Sequence, residues 1–226
     1  MAAILHIETA TKVCSVALSK DGELIDFREE TSDKYIHAER LTVIIEELMN
    51  NNHLSFKDLA AVSVSSGPGS YTGLRIGVST AKGICYAVDV PLIAIGALDS
   101  LIVLARETYP DQTICAMIDA RRMEVFSKIV DPTGKVLKEV SADELDAHSY
   151  DKFKPFVACG DAVEKCNQIW QDKSVTIMTN IASSARGQVS LSYQRLLGGT
   201  FENLAYFEPF YLKDFVATKS KKKYFD

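Results

Sequence analysis

The sequence predicts an α/β fold, with mixed sheets flanked by helices, on three observations. Leu59 to Val64 is a short apolar run that suits a buried strand; a glycine-rich turn, Ser65-Ser66-Gly67-Pro68-Gly69-Ser70, follows it, and a helix-like run then continues to about Val88. The chain opens on three strand-like segments joined by turn signals. A helical pattern over Ala97 to Thr108 separates that opening half from a further strand, turn and strand between Thr113 and Val130.

Each element has its own signal. Ala3 to Glu8 reads as a strand, Thr9 to Lys12 as a turn and Val13 to Ser19 as a second strand. Asp21-Gly22 is a hairpin signal, because such residues accept positive φ, and Glu23 to Glu30 is the third strand. His37 opens a helix to about Asn50, in which Leu41, Ile44, Ile45, Leu48 and Met49 form one apolar stripe. Pro91 to Ile95 is a strand, and the helix after it bridges the two halves. Ala120-Arg121-Arg122 turns the next hairpin, and Asp131-Pro132-Thr133-Gly134 leads into a strand over Lys135 to Val140. Ser141-Ala142-Asp143-Glu144 reads as the cap of a short helix. Phe156 to Cys159 is a strand and Ala162 to Trp170 a helix. Ala182 to Leu197 reads as a further helix, interrupted at Arg186-Gly187 and ended by Gly198-Gly199.

With 226 residues, 47% hydrophobic and 24% charged, the chain suits one large domain or two small lobes. No apolar run approaches a membrane span, and the N-terminus leads straight into a strand, so a cytoplasmic location is expected. Cys14, Cys85, Cys115, Cys159 and Cys166 are odd in number, lack C-x-x-C spacing and mostly sit in apolar runs; they read as reduced core residues. A net charge of −5 argues against holding RNA by bulk electrostatics. The local exception is Lys219-Ser220-Lys221-Lys222-Lys223, which is either a solvated tail or an RNA-facing patch.

The glycine turn has two readings. Gly67 and Gly69 open backbone angles closed to other residues, Pro68 stiffens the loop, and Ser70 and Thr72 suit an N-cap, so free N–H groups there could hold a phosphate. The same residues also suit a tight structural turn. No Gly-Lys-Ser/Thr follows, and G-x-G-x-x-x-G is one residue longer than the dinucleotide fingerprint. The helix behind the turn carries Gly73, Gly77 and Gly83, each costing roughly 1 kcal/mol relative to alanine, so a compensating close approach is expected. Leu74, Val78, Ala81, Cys85 and Val88 form its bulkier stripe. Either the small residues pack on the chain's own sheet, or Gly73, Ile76, Gly77, Thr80, Ala81, Gly83, Ile84 and Ala87 offer a face to a partner helix.

The run Ser66-Gly67-Pro68-Gly69-Ser70-Tyr71-Thr72-Gly73-Leu74-Arg75-Ile76-Gly77 closely resembles the signature of the TsaB (YeaZ) family. Ile118-Asp119-Ala120-Arg121-Arg122-Met123-Glu124-Val125 and Glu208-Pro209-Phe210-Tyr211-Leu212 resemble two further family segments, and His37-Ala38-Glu39-Arg40-Leu41 a fourth. The resemblance implies a two-lobed actin/Hsp70-like (ribonuclease H-like) fold. Its first lobe would be residues 1–104, with 208–226 returning to it, and its second 105–207. In nucleotide-binding members of that superfamily the first hairpin turn contacts phosphate, which makes Glu8, Thr9, Thr11, Gly67, Gly69 and Ser70 the candidate loop. Glu8 stands where those members place a metal-organising aspartate, so their metal geometry does not transfer unchanged. His37, Arg75, Asp119, Arg121 and Glu124 are the candidate polar residues of the cleft.

The resemblance further implies a non-catalytic scaffold in threonylcarbamoyl transfer to N6 of adenosine 37 of tRNA. Its partners would be the catalytic subunit TsaD, the ATPase TsaE and a second copy of itself, with tRNA met indirectly. No cofactor is required of this chain, although weak ATP or ADP binding in the complex is compatible with the loop. The alternative is a metal-dependent glycopeptidase-like or ATP-binding kinase-like enzyme. Against it, no two of His6, His37, His53 and His148 lie four apart, and no Gly-x-Ser-x-Gly elbow occurs. On the scaffold reading, a bulky charge at Gly77 or Ala81 is expected to abolish pairing and leave the fold intact.

Overall fold

The computed structural model describes residues 2–32, 36–170 and 174–213, apart from the side chains of residues 167 and 168. The first sheet is built from β1 (Ala3–Glu8), β2 (Val13–Lys20), β3 (Glu23–Thr31), β4 (Leu59–Gly67) and β5 (Leu92–Gly96), in the order β3-β2-β1-β4-β5. The second uses β6 (Ile114–Asp119), β7 (Glu124–Val130), β8 (Val136–Glu144), β9 (Phe156–Cys159) and β10 (Val175–Met178), in the order β10-β9-β6-β7-β8. The helices are α1 (His37–Asn51), α2 (Tyr71–Val88), α3 (Ala97–Thr108), α4 (Val163–Ile169) and α5 (Val189–Leu197).

The two sheets have the same wiring. In each, three antiparallel strands form a meander, and two further strands run parallel to its first member. That repeated pattern is the two-lobed ribonuclease H-like arrangement. It also makes the β1–β2 turn of one lobe the counterpart of the β6–β7 turn of the other.

Burial explains the layering. Every residue of β1, and all but the last of β2, is buried, as expected of strands covered on both faces. On one face, Leu5, Ile7, Val62 and Val64 meet the α1 stripe and α2; on the other, Ile4, Ala61, Ile93 and Ile95 meet Leu191, Tyr193 and Leu196 of α5. α3 lies between the lobes. Its Leu98, Leu101 and Ala105 share a core with Ile114, Ala116 and Ile118 of β6. The outer face of the second sheet packs on Val163, Cys166 and Trp170. All five cysteines are buried free thiols, and burial pushes those of Cys159 and Cys166 up to about 12.

Two expectations change. Ser141 to Glu144 do not cap a helix but extend β8, pairing in register with Glu124 to Ser127. Asp143 holds this strand, accepting hydrogen bonds from Ser127 Oγ at 2.6 Å and Tyr150 OH at 2.7 Å beside Lys138. The helix read over 182–197 divides into a single tight turn, Ala185–Gln188, and α5. Gly187 sits against the Ser100 carbonyl of α3, where a Cβ would collide. β10 carries no signal that the sequence reading caught.

The segment from Ser184 to α5, within the range expected for the second lobe, also contacts the first sheet. Gln188 donates to the Ile7 carbonyl at 2.9 Å and accepts from Ser63 Oγ at 2.7 Å, while Ser192 Oγ lies 3.3 Å from His6 Nδ1. His6 Nε2 in turn meets Ser19 Oγ at 2.7 Å, and full burial lowers the imidazole to about 3.

Candidate functional site

Parallel pairing of β1 and β4 brings their C-terminal ends together, so the β1–β2 turn lies directly against the glycine turn. The contact is made by backbone. Ser70 N–H donates to the Ala10 carbonyl at 2.6 Å, and Ser70 Oγ caps α2 by accepting from Gly73 N–H at 3.3 Å. A Cβ on Gly69 would run into Ala10, one on Gly73 into the Thr9 carbonyl, and one on Gly77 into Thr9 Oγ1. The glycines therefore let the first hairpin turn settle onto the first two turns of α2. Here is the compensation that their helix penalty requires.

This overturns part of the expected partner face. Gly73, Gly77 and Ala81 point inward and are buried. A charge at Gly77 or Ala81 would strike the fold itself, contrary to the expectation that such variants stay folded. Ile76, Thr80 and Ile84 are half-buried at the border, and Gly83 and Ala87 are exposed. A Cβ on Gly83 would meet nothing within 4 Å, and the neighbouring Tyr86 is 84% exposed. The small outward surface is thus narrower than the sequence suggested, and lies towards the C-terminal half of α2.

The candidate phosphate loop is assembled but closed. Glu8 and Thr9 have no accessible surface, and Thr11 is 3% exposed. Glu8 Oε1 accepts from Ala10 N–H at 2.7 Å, while burial pushes its carboxyl up to about 7 despite that bond. The N–H groups of Ser70 and Gly73, which a phosphate would use, are occupied. The six residues come together in a closely packed joint that leaves neither Glu8 nor Thr9 an accessible atom. Nor do the histidines fit a shared metal. His6 is sealed beside two serines, His37 Nε2 lies 2.8 Å from the Thr11 carbonyl and His148 Nδ1 faces Asp151. No cluster of three or more His, Cys, Asp or Glu capable of holding a metal occurs among the described residues.

The cleft residues separate into three places. His37 is buried, its pKa lowered by desolvation, and it staples α1 to the first hairpin turn. Arg75 is exposed, with its guanidinium 4.2 Å from the Tyr71 ring and its Nε donating to Tyr211 OH at 3.2 Å. Asp119, Arg121 and Glu124 surround the β6–β7 turn, with no side-chain-to-side-chain bond among the three. Asp119 pairs with Lys165 at 2.7 Å and accepts from Arg121 N–H at 2.5 Å; Glu124 pairs with Lys213.

Sequence reasoning missed how the end of the described chain links the lobes. Phe210 N–H donates to the Ser66 carbonyl at 2.7 Å, and the Tyr211 and Tyr71 rings lie 4.9 Å apart. Two residues later Lys213 has crossed to Glu124 and the Phe126 ring of the second lobe. The closing motif therefore does meet the first lobe, but as a strap across the junction; residues 214–226 of the expected return, with the lysine run, lie outside the described residues. A separate cavity of about 560 Å³ opens beyond the end of α3, lined in part by Glu29, Glu107, Tyr109, Asn180 and Arg186.

Comparison with known proteins adds to this geometry. A family model described as TsaD: tRNA N6-adenosine threonylcarbamoyltransferase matches residues 31–220. The chain is 35% identical over 128 residues to the tRNA threonylcarbamoyladenosine biosynthesis protein TsaB of Haemophilus influenzae, covering 56% of this chain and 53% of that protein. It is 32% identical over 141 residues to the TsaB of Bacillus subtilis, covering 62% of this chain and 60% of that one. The chain thus spans little more than half the length of these relatives. Among solved structures it resembles YeaZ from Pseudomonas aeruginosa, with a TM-score of 0.79 at 22% identity over 94% of this chain and 100% of that one, a likeness of fold. Among the described residues no helix is long and apolar enough to cross a membrane.

Proposed function

This chain belongs to the TsaB (YeaZ) branch of the threonylcarbamoyltransferase family, and on that premise we propose that it is a non-catalytic subunit of tRNA threonylcarbamoyladenosine biosynthesis. In this role it supports transfer of a threonylcarbamoyl group to N6 of adenosine 37, beside the catalytic subunit TsaD and the ATPase TsaE in the cytoplasm. The observation that carries the reading is the closed joint. The carboxylate and hydroxyl that would face a nucleotide, those of Glu8 and Thr9, have no accessible surface, and the N–H groups of Ser70 and Gly73 are spent on the protein's own turn and cap.

A subunit without its own turnover acts through surface. On the exposed part of α2, Gly83 and Ala87 lie beside the protruding Tyr86 and the half-buried Ile76, Thr80 and Ile84, and this is the surface on which another helix would dock. The same surface suits TsaD or a second copy of this chain. The test is reconstitution of tRNA modification from purified components, with and without the chain. The expected result is dependence on the chain, with no ATPase or peptidase activity from the chain alone. Turnover by the isolated chain, lost in Glu8→Gln, would overturn the reading.

A further inference from the structure

We propose that a cavity beside α3, between the two lobes, binds a small organic anion with an apolar body; the site is separate from the joint and from the α2 surface, and does not depend on the role proposed above. The cavity holds about 440 Å³, within the size range of small-molecule sites. Its walls come from β5 and α5 on one side, from β7 and β8 on the other, and from α3 between them. Ile102, Val103, Val130, Val136 and Leu191 supply an apolar surface. Ile102 and Val130 also belong to the core that α3 shares with the second sheet, so this surface is fixed in place before any ligand arrives.

Against that surface the wall carries three cations, Arg106, Lys128 and Arg195, and one acid, Asp99. Asp99 is already spent. Its Oδ1 accepts from Lys128 at 2.6 Å, and its Oδ2 lies over Gly96, where a Cβ would collide with it. The arginines are anchored by backbone. Arg106 donates to the carbonyls of Pro110 at 3.2 Å and Pro132 at 2.9 Å, and to that of Asp131; Arg195 donates to the Ala94 carbonyl. Carbonyl oxygens hold a guanidinium in position without removing its charge. Two further acids stand off the wall. Glu202 is 3.9 Å from Arg195, too far for a hydrogen bond, and the Asp131 carboxylate is turned onto the N–H groups of Thr133 at 2.9 Å and Lys135 at 3.0 Å. Gln194 and Thr200 add an amide and a hydroxyl whose side chains have no hydrogen-bond partner among the described residues. The larger cavity beyond the end of α3 lacks this surplus, because Glu29 and Glu107 line it with Arg186. Fixed apolar surface joined to excess positive charge and spare donors matches a carboxylate or phosphate ester on a hydrocarbon body. It disfavours organic cations and gives a neutral molecule only half of the available contacts.

The test is a fluorescence titration of the full chain with anilinonaphthalene sulfonate, an apolar anion that brightens on leaving water. Octanoate, octyl phosphate and neutral octanol are the competitors. The expected result is saturable binding by the wild-type chain, displaced by octanoate or octyl phosphate at concentrations at least about tenfold below those octanol needs. Whichever anion competes better identifies the head group. Arg195→Gln should weaken binding about tenfold, Arg195→Lys should retain most of it, and Arg28→Gln, an exposed cation on β3 away from the cavity, should change nothing. The better anion should also raise the Tm of the wild-type chain and leave that of Arg195→Gln unmoved, which ties binding to the folded state. Absence of saturable binding to the wild-type chain overturns the proposal, as does displacement by octanol on a par with the anions, a comparison that needs no variant. Equal affinity in Arg195→Gln and wild type, or equal loss in Arg28→Gln, overturns it too.

Discussion

The two lobes share one strand wiring, yet their equivalent hairpin turns have opposite characters. The β1–β2 turn holds Glu8, Thr9 and Thr11, all buried, and is clamped by glycines of the following helix. The β6–β7 turn carries Arg121, Arg122 and Met123, all exposed. The difference follows from what comes after each parallel strand. In the first lobe β4 runs through a glycine turn into the 18-residue α2, whose small residues admit the neighbouring turn. In the second, β9 leads to the 7-residue α4, which contacts the equivalent turn through Lys165 rather than through backbone. A shared topology therefore does not carry a shared site, and the chemistry must be read from the local packing.

The comparison can be broken most forcefully at the clamp. Gly73→Val should cost about 3 kcal/mol or more in chemical denaturation, because the new side chain meets the Thr9 backbone and neither element can yield easily. The turn variant Arg121→Asn with Arg122→Gly should stay within about 1 kcal/mol of wild type under the same conditions. Equal losses would mean that both turns are structural joints.

Acidity probes the first lobe next. The Glu8 carboxyl rises from 4.5 unfolded to about 7 folded, so its stabilising share is complete below about 4.5 and disappears as pH climbs through 7. Glu8→Gln should remove that slope, leaving the variant more stable than wild type at pH 8 by about 3 kcal/mol, provided the amide keeps its place. His6 has the opposite sign: neutral in the fold down to about 3, it withdraws stability as pH falls below 6.5. Denaturation midpoints of Glu8→Gln against pH should then rise from pH 4 to 6.5 with no decline towards pH 8.

Two smaller effects sharpen the picture. Gly83→Ala should stabilise α2 by up to about 1 kcal/mol, whereas Gly77→Ala should destabilise it, a contrast of two glycines in one helix visible by thermal melting. Lys213→Met should cost less than about 1 kcal/mol, since its ion pair with Glu124 is partly solvated. It should nonetheless raise protease cleavage after residue 210 by freeing the strap.

Much of the fold was legible because its signals are local. The α1 stripe, Leu41 to Met49, is buried as its spacing implied, and the capping Ser70 starts α2. Ser141 to Glu144 misled because a polar run suits both a cap and an exposed edge strand, and only pairing with β7 decides between them. The site was less legible. Gly73 and Gly77 announce that something approaches α2 closely, but spacing does not say whether that neighbour is a second molecule or Thr9, 64 residues away from Gly73 in the chain. Gln188, which fastens the segment before α5 to the first sheet, and Lys213, which links the lobes, give no sequence signal, because their roles depend on where long-range contacts place them.

The central claim is that the first-lobe turn is a joint and not a reaction centre. The most direct measurement is the rate of tRNA threonylcarbamoylation in a reconstituted mixture in which Glu8→Gln replaces the wild-type chain. The account predicts a rate within about threefold of wild type, since an amide can accept the same Ala10 N–H. A folded variant that loses a hundredfold or more in rate would contradict it.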